Sequence, residues 1–383
     1  MKRGTNMLRT AMAVAAIGMF SATLCAAEPH YLITNNDYSS GNSSTSYSIL
    51  AQGILKQIAV VGTGGNGNNG LGAVATKRVS ILSKGAENCA FISDAGSNDV
   101  AAIAIATLIL SGTFPASSTD SGASAGVGIV NNGSYLYANF TSSETLATYK
   151  ILSGCKLTFI GDTPAAGLKG GPIVDMWAHG NILVASFQDG SIGSFNITSG
   201  TPVANGDLQL STGNIQDGSS PEGVDITADG HYAIFGGTVI PELVEVSDIS
   251  SGKLTPTVVY SDIGAGSGSE AIWISPDETL LYTSSFSSNQ VTAAHFDKTT
   301  GVVSSGCISG TLRGFEFEAG LATASNSGTG GALYVAEPDS DIGIVNVTEN
   351  GGSCTLTESP KSPVHDNNTI TVDSIGVFPP RAF

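Results

Sequence analysis

The run Ser269–Gly301, SEAIWISPDETLLYTSSFSSNQVTAAHFDKTTG, decides the fold. It opens on an apolar strand, AIWIS, and turns at Pro276-Asp277-Glu278. A second strand, TLLYTSS, leads through a polar loop to a third, QVTAAHF, and KTTG then turns toward a fourth. Apolar and β-branched residues in short runs, separated by Pro, Asp, Asn and Gly, are the pattern of antiparallel hairpins.

The central feature of this unit recurs along the chain. Its second strand has counterparts in YLIT at Tyr31, AFIS at Ala90, YLYA at Tyr135, ILVA at Ile182, YAIF at Tyr232 and ALYV at Ala332, besides LLYT at Leu280. The second residues of these runs are 59, 45, 47, 50, 48 and 52 positions apart. Tight-turn dipeptides precede several of them, at Asn132-Gly133, His179-Gly180 and Asp229-Gly230. Four short strands per repeat of about 50 residues make one propeller blade, and blades set around an axis avoid long exposed sheet edges. A solenoid would also stack its repeats, but it does not need four strands per repeat or a split terminal one.

The first repeat begins on a second strand, HYLITNN, with no first strand before it. The missing strand is expected from TITVDSIGVF, Thr369 to Phe378, so that the two ends of the chain close the ring. The predicted architecture is all-β, a seven-bladed β-propeller with four antiparallel strands per blade, in a single domain from residue 28 to 383. Composition agrees, because only 12% of residues are charged and no long Ala, Leu, Glu and Lys run has helical spacing.

Residues 1–27 read as a signal peptide. Lys2, Arg3 and Arg9 precede the uncharged run Ala11–Leu24, which ends in Cys25-Ala26-Ala27. The run is too short to span a bilayer and is followed by small residues suited to cleavage. Leu24 stands where lipid attachment at Cys25 would want a small residue. Export to the periplasm or the extracellular space is therefore expected, with no membrane insertion after cleavage. Cleavage would leave 12 of the 15 basic residues against all 32 acidic ones. That excess argues against nucleic acid as a partner. Cys89, Cys155, Cys307 and Cys354 allow three disulfide connectivities, among which the sequence does not choose.

Two motifs match catalytic patterns but lack their setting. Gly62–Gly67, GTGGNG, fits a dinucleotide fingerprint, yet no helix follows to hold a pyrophosphate, and it reads as a flexible loop between blades. Gly122–Gly126, GASAG, resembles a nucleophile elbow around Ser124, but it lies between a loop and a strand.

The repeat itself supplies better candidates. Glu222, Glu270 and Glu318 share a register at the start of three consecutive first strands, where a propeller's central channel opens. They read either as solvated loop charges or as a carboxylate cluster able to hold a divalent cation such as calcium and to polarise a substrate. Lys77 and Arg78 would supply a positive edge at the corresponding place in the second blade, and Asp366 is a further ligand-binding candidate. Asp175 and Asp225 lie further along their strands and suit structural hydrogen-bond acceptors. Trp177 and Trp273, also on first strands, suit core more than a ligand platform.

The run Ile274–Gly301 resembles the repeat of the lactonase-type seven-bladed propellers, relatives of the YVTN-repeat surface proteins. That family includes 6-phosphogluconolactonases and carboxymuconate-lactonizing enzymes. The resemblance implies a hydrolase of lactones, with Glu270 matching the family's acid; in that reading Glu270 and, from the repeat register, Glu222 would act on water or on a bound cation. It also implies an Asn-Arg pair where this chain has Ser285-Phe286, and a Pro-Arg-His where it has Ser219–Glu222. The missing Arg would otherwise bind a carboxylate or phosphate. Two functions thus remain: a monomeric exported scaffold that binds a small molecule, glycan or protein at the channel mouth, and a lactone hydrolase.

Overall fold

The computed structural model describes residues 30–69, 77–120, 126–211, 223–237, 243–261, 269–285, 288–313, 320–323, 331–337, 340–350, 352–367, 372 and 374–380. They form seven antiparallel sheets, six of them meanders of successive strands and the seventh completed by a strand from the far end of the chain. Blade 2 is typical, with strands Val79–Lys84, Glu87–Asp94, Asp99–Ala104 and Ile109–Pro115 running from the axis outward. Blade 6 repeats this with Ser269–Ile274, Leu280–Ser285, Gln290–Asp297 and Val302–Ile308, the four strands expected from its sequence. In blade 4 the outermost position is shared by two short pieces, Val203–Ala204 and Gln209–Leu210, both paired with Ser191–Asn196.

Closure occurs in blade 1. Ser374–Phe378 is its innermost strand and pairs antiparallel with Tyr31–Asn35, from Tyr31 opposite Phe378 to Asn35 opposite Ser374. The remainder of the expected closing segment, from Thr369 to Asp373, lies outside the described residues apart from buried Val372. Gly376 is required here by close approach, because a Cβ would stand 2.8 Å from Val79 Cγ1 and 2.7 Å from Ile81 Cγ1 of blade 2.

Packing follows the same circle. Seven clusters of buried apolar side chains each join two neighbouring blades, including the seams on either side of blade 1. At the blade 7 seam, Leu32, Tyr47, Ile375 and Val377 meet Ala332, Tyr334, Ile342 and Ile344. At the blade 2 seam, Ile33 and Phe378 meet Val79, Ala90, Ile92 and Ala101. Inner strands are sealed on both faces, as in the wholly buried Ile182–Phe187. Outermost strands alternate toward solvent, as in Lys156–Pro164. Hydrophobic burial thus holds blade to blade, while hydrogen bonds hold each blade together.

Two disulfides bridge adjacent blades. Cys89 of blade 2 pairs with Cys155 of blade 3, and Cys307 of blade 6 pairs with Cys354 of blade 7. Among the described residues, no helix is long and apolar enough to cross a membrane.

Candidate functional site

The first strands of blades 1, 2, 3, 4 and 6 surround a central cavity of about 550 Å³. Its chemistry gathers around Lys77. The sequence places this residue just before the innermost strand of blade 2, and its side chain reaches blades 4 and 5. The ammonium donates to Asp175 Oδ2 and to the carbonyl oxygen of Val224, the latter at 2.7 Å. It also lies 5.3 Å from the ring centroid of Trp177, within reach of a cation–π attraction. Trp177 in turn meets Trp273 edge-to-face, with centroids 5.4 Å apart and an interplanar angle of 82°. Both tryptophans line the cavity and also pack against interblade cores.

Asp175 holds this arrangement together. Oδ2 accepts from Lys77 and from the Val224 N–H at 2.7 Å, and Oδ1 accepts from the Met176 N–H at 2.8 Å. Burial pushes its carboxyl above the ordinary value, against the pull of the Lys77 ammonium. Asp225 has the same structural role in the next blade, accepting from the Ile226 N–H at 2.8 Å and the Ile274 N–H at 2.7 Å. Both acids are thus structural hydrogen-bond acceptors, as their mid-strand positions suggested, and each reaches a backbone N–H of the next blade.

The other sequence candidates separate. Arg78 does not line the cavity. Its side chain is 2% exposed, packs against Gly126 and pairs with Asp37 of blade 1 at 3.4 Å, so it contributes no positive edge there. Asp366 is likewise buried away from the cavity. Its N–H donates to the Ser340 carbonyl at 2.7 Å. Its carboxyl neighbours Tyr47, whose phenol is held far above its ordinary value by burial first and by Asp366 second. Glu270 has its backbone in the first strand of blade 6, whereas its side chain, and Glu222 and Glu318 entirely, lie outside the described residues. Ser124 lies outside them too. One group of close metal-ligating types occurs among the described residues, Glu87 with Cys89 and Cys155, but both sulfurs are committed to a disulfide.

The Gly-rich segment is a loop, as expected, but it is pinned on both sides. Gly67 N–H donates to the Tyr38 carbonyl at 2.6 Å, and the Gly96 N–H to the Asn66 carbonyl at 2.8 Å. Beneath it is a feature that sequence reasoning missed. Asp94 and Asp99 bracket the turn of a blade 2 hairpin, and burial, then the facing Asp99 charge, pushes Asp94 up to about 8. Its protonated state is favoured by folding. That contribution is complete below the unfolded value near 4 and is lost as pH rises through about 8. Tm is therefore expected to fall by several degrees between pH 5 and pH 9, with a flatter profile in Asp94→Asn; an unchanged slope in that variant would contradict this origin.

No family model matches the sequence, and no curated protein matches it. Solved structures do resemble it. A protein from Lactobacillus plantarum aligns with a TM-score of 0.67 at 12% identity, over 91% of this chain and 99% of that one. A protein from Bacteroides uniformis, provisionally assigned as a 6-phosphogluconolactonase, aligns at 0.54 and 13%, over 71% and 80%. A periplasmic gluconolactonase from Pseudomonas aeruginosa aligns at 0.52 and 16%, over 72% and 80%. The chain shares its fold with these proteins, two of which carry lactonase names. At such identities the likeness concerns backbone architecture, and function must be argued from the site.

Proposed function

We propose that this chain is an exported propeller that binds a small polyhydroxylated ring, of the sugar-lactone or aldonate class, in its central channel. The carrying observation is Lys77, held by Asp175 beside two channel-lining tryptophans. Aromatic surface suits the C–H faces of a sugar ring, and a fixed ammonium suits a carbonyl or carboxylate oxygen. Volume supports this too, since about 550 Å³ is within the range of small-molecule sites. Export is supported by the basic, then apolar N-terminus and by two disulfides, which persist in oxidising compartments.

Binding is favoured over hydrolysis because Asp175 is committed to Lys77 and two backbone N–H groups and is 1% exposed, which makes it a poor general base. The second reading, lactone hydrolysis, draws on the fold neighbours and on Glu222 and Glu270. A screen of five- and six-membered aldonolactones by pH-stat, with and without divalent cations, separates the two. The expected result is retention of lactone or aldonate in equilibrium dialysis with no turnover above the spontaneous rate. Turnover that disappears in a Glu222→Gln/Glu270→Gln variant would replace binding with hydrolysis.

A further inference from the structure

The hairpin tip Asp94-Ala95-Gly96-Ser97-Asn98-Asp99 sets two carboxylates of like charge face to face under the Gly62–Gly67 loop. Asp94 is fully buried. Its Oδ1 accepts from Asn42 Nδ2 at 2.7 Å and from Thr63 Oγ1 at 2.8 Å. Its Oδ2 and Asp99 Oδ1 are inaccessible to water, the two carboxyls face each other, and no N–H or hydroxyl donor of the described residues reaches either of these oxygens. Those two oxygens and Ser97 Oγ converge on Gly65. A Cβ there would stand 2.5, 2.5 and 2.6 Å from them, so only glycine fits and the carboxylate oxygens lie within about 5 Å of each other.

We propose that Asp94, Ser97 and Asp99 form a calcium site, separate from the channel, that fastens the Gly62–Gly67 loop across the seam between blades 1 and 2. Two facing carboxylates out of water must be neutralised by a proton or a cation. The donors are all hard oxygens, which suits calcium and disfavours zinc. Two carboxylates balance a divalent charge, and a hairpin tip tolerates the irregular geometry that calcium accepts and magnesium does not. The site's place explains its use. Asn42, on the blade 1 loop, holds Asp94 while its N–H donates to the Gly65 carbonyl at 2.8 Å, and Asn66 N–H donates to Ser97 Oγ at 2.8 Å. A cation here would tie together the blade 1 loop, the Gly-rich segment and the blade 2 hairpin.

Terbium is a suitable probe, because Tyr149 is near enough to Asp99 to feel its charge and can sensitise lanthanide emission. The expected result is terbium luminescence displaced by calcium, and a Tm raised by several degrees at about 10 mM calcium, roughly tenfold above the dissociation constants of the weakest extracellular sites. Both effects should be lost in Asp99→Asn and in Asp94→Asn/Asp99→Asn, and both retained in Glu222→Gln/Glu270→Gln/Glu318→Gln. Should the double variant fail to fold, equilibrium dialysis of calcium against the wild-type chain decides, with one ion bound expected. No bound calcium, a shift unchanged in Asp99→Asn, or a shift lost with the three glutamates would each overturn the assignment.

Discussion

A chain ended at Asn367 is expected to lose its cooperative thermal transition and to bind a hydrophobic dye at room temperature. The truncation removes Ser374–Phe378, five consecutive buried residues that are the innermost strand of blade 1. Ile375 and Val377 belong to the core shared with blade 7, and Phe378 belongs to the core shared with blade 2. Burial of each such side chain stabilises by about 1.5–3 kcal/mol. The backbone of Tyr31–Asn35 would also lose its partner strand facing the axis. Together these losses approach the 5–15 kcal/mol that holds a typical protein folded. Gly376→Val tests the same seam with one substitution, because its side chain would be driven into Val79 and Ile81. Melting followed by circular dichroism reads both variants, and a truncated chain that still melted at the wild-type temperature would show that the ring does not depend on this strand.

Reduction of the disulfides is expected to have the next largest effect. The bridges span 66 and 47 residues, and the loop-entropy model assigns about 4 kcal/mol to each. A loss of roughly 5 °C in Tm per bridge is the corresponding expectation for a chain of this size. Order is predicted as well. Cys89 and Cys155 are buried, whereas Cys307 and Cys354 are partly exposed, so a mild reductant should open the blade 6–7 bridge first. Thiol labelling with mass mapping after graded reduction would check this, and labelling of Cys89 ahead of Cys307 would contradict it.

The repeat was legible because its signals are local. The turn Pro276–Glu278 and the strand LLYTSS announce themselves within a dozen residues, and the unpaired start HYLITNN pointed to a partner at the far end. The cysteine pairing was not legible, because it depends on which blades become neighbours. Cys89 sits in a second strand and Cys155 in the turn before another blade's fourth strand. For the same reason Lys77 and Asp175 were found separately, and their ion pair across 98 positions emerged only from the ring's curvature. Arg78 misled, since its neighbour in sequence faces the channel while Arg78 locks onto Asp37. The place of the Gly62–Gly67 loop between blades is legible from its glycines, but its pinning follows from contacts with Tyr38 and Gly96 that a linear pattern does not contain. Asp94 and Asp99 do leave a local signal, an acid at each end of a tight hairpin turn.

The two tryptophans of the sequence both line the central channel, so tryptophan emission, excited selectively over tyrosine, reports on that site. Titration with an aldonolactone and with its aldonate is expected to give a saturable change in emission. Lys77→Met/Asp175→Asn, which removes both charges together and leaves neither buried unpaired, is expected to weaken binding by at least tenfold, the scale of one charged hydrogen bond. An emission spectrum that ignores every ligand of this class, or a titration unaffected by the double substitution, would contradict a ligand held by Lys77 beside Trp177.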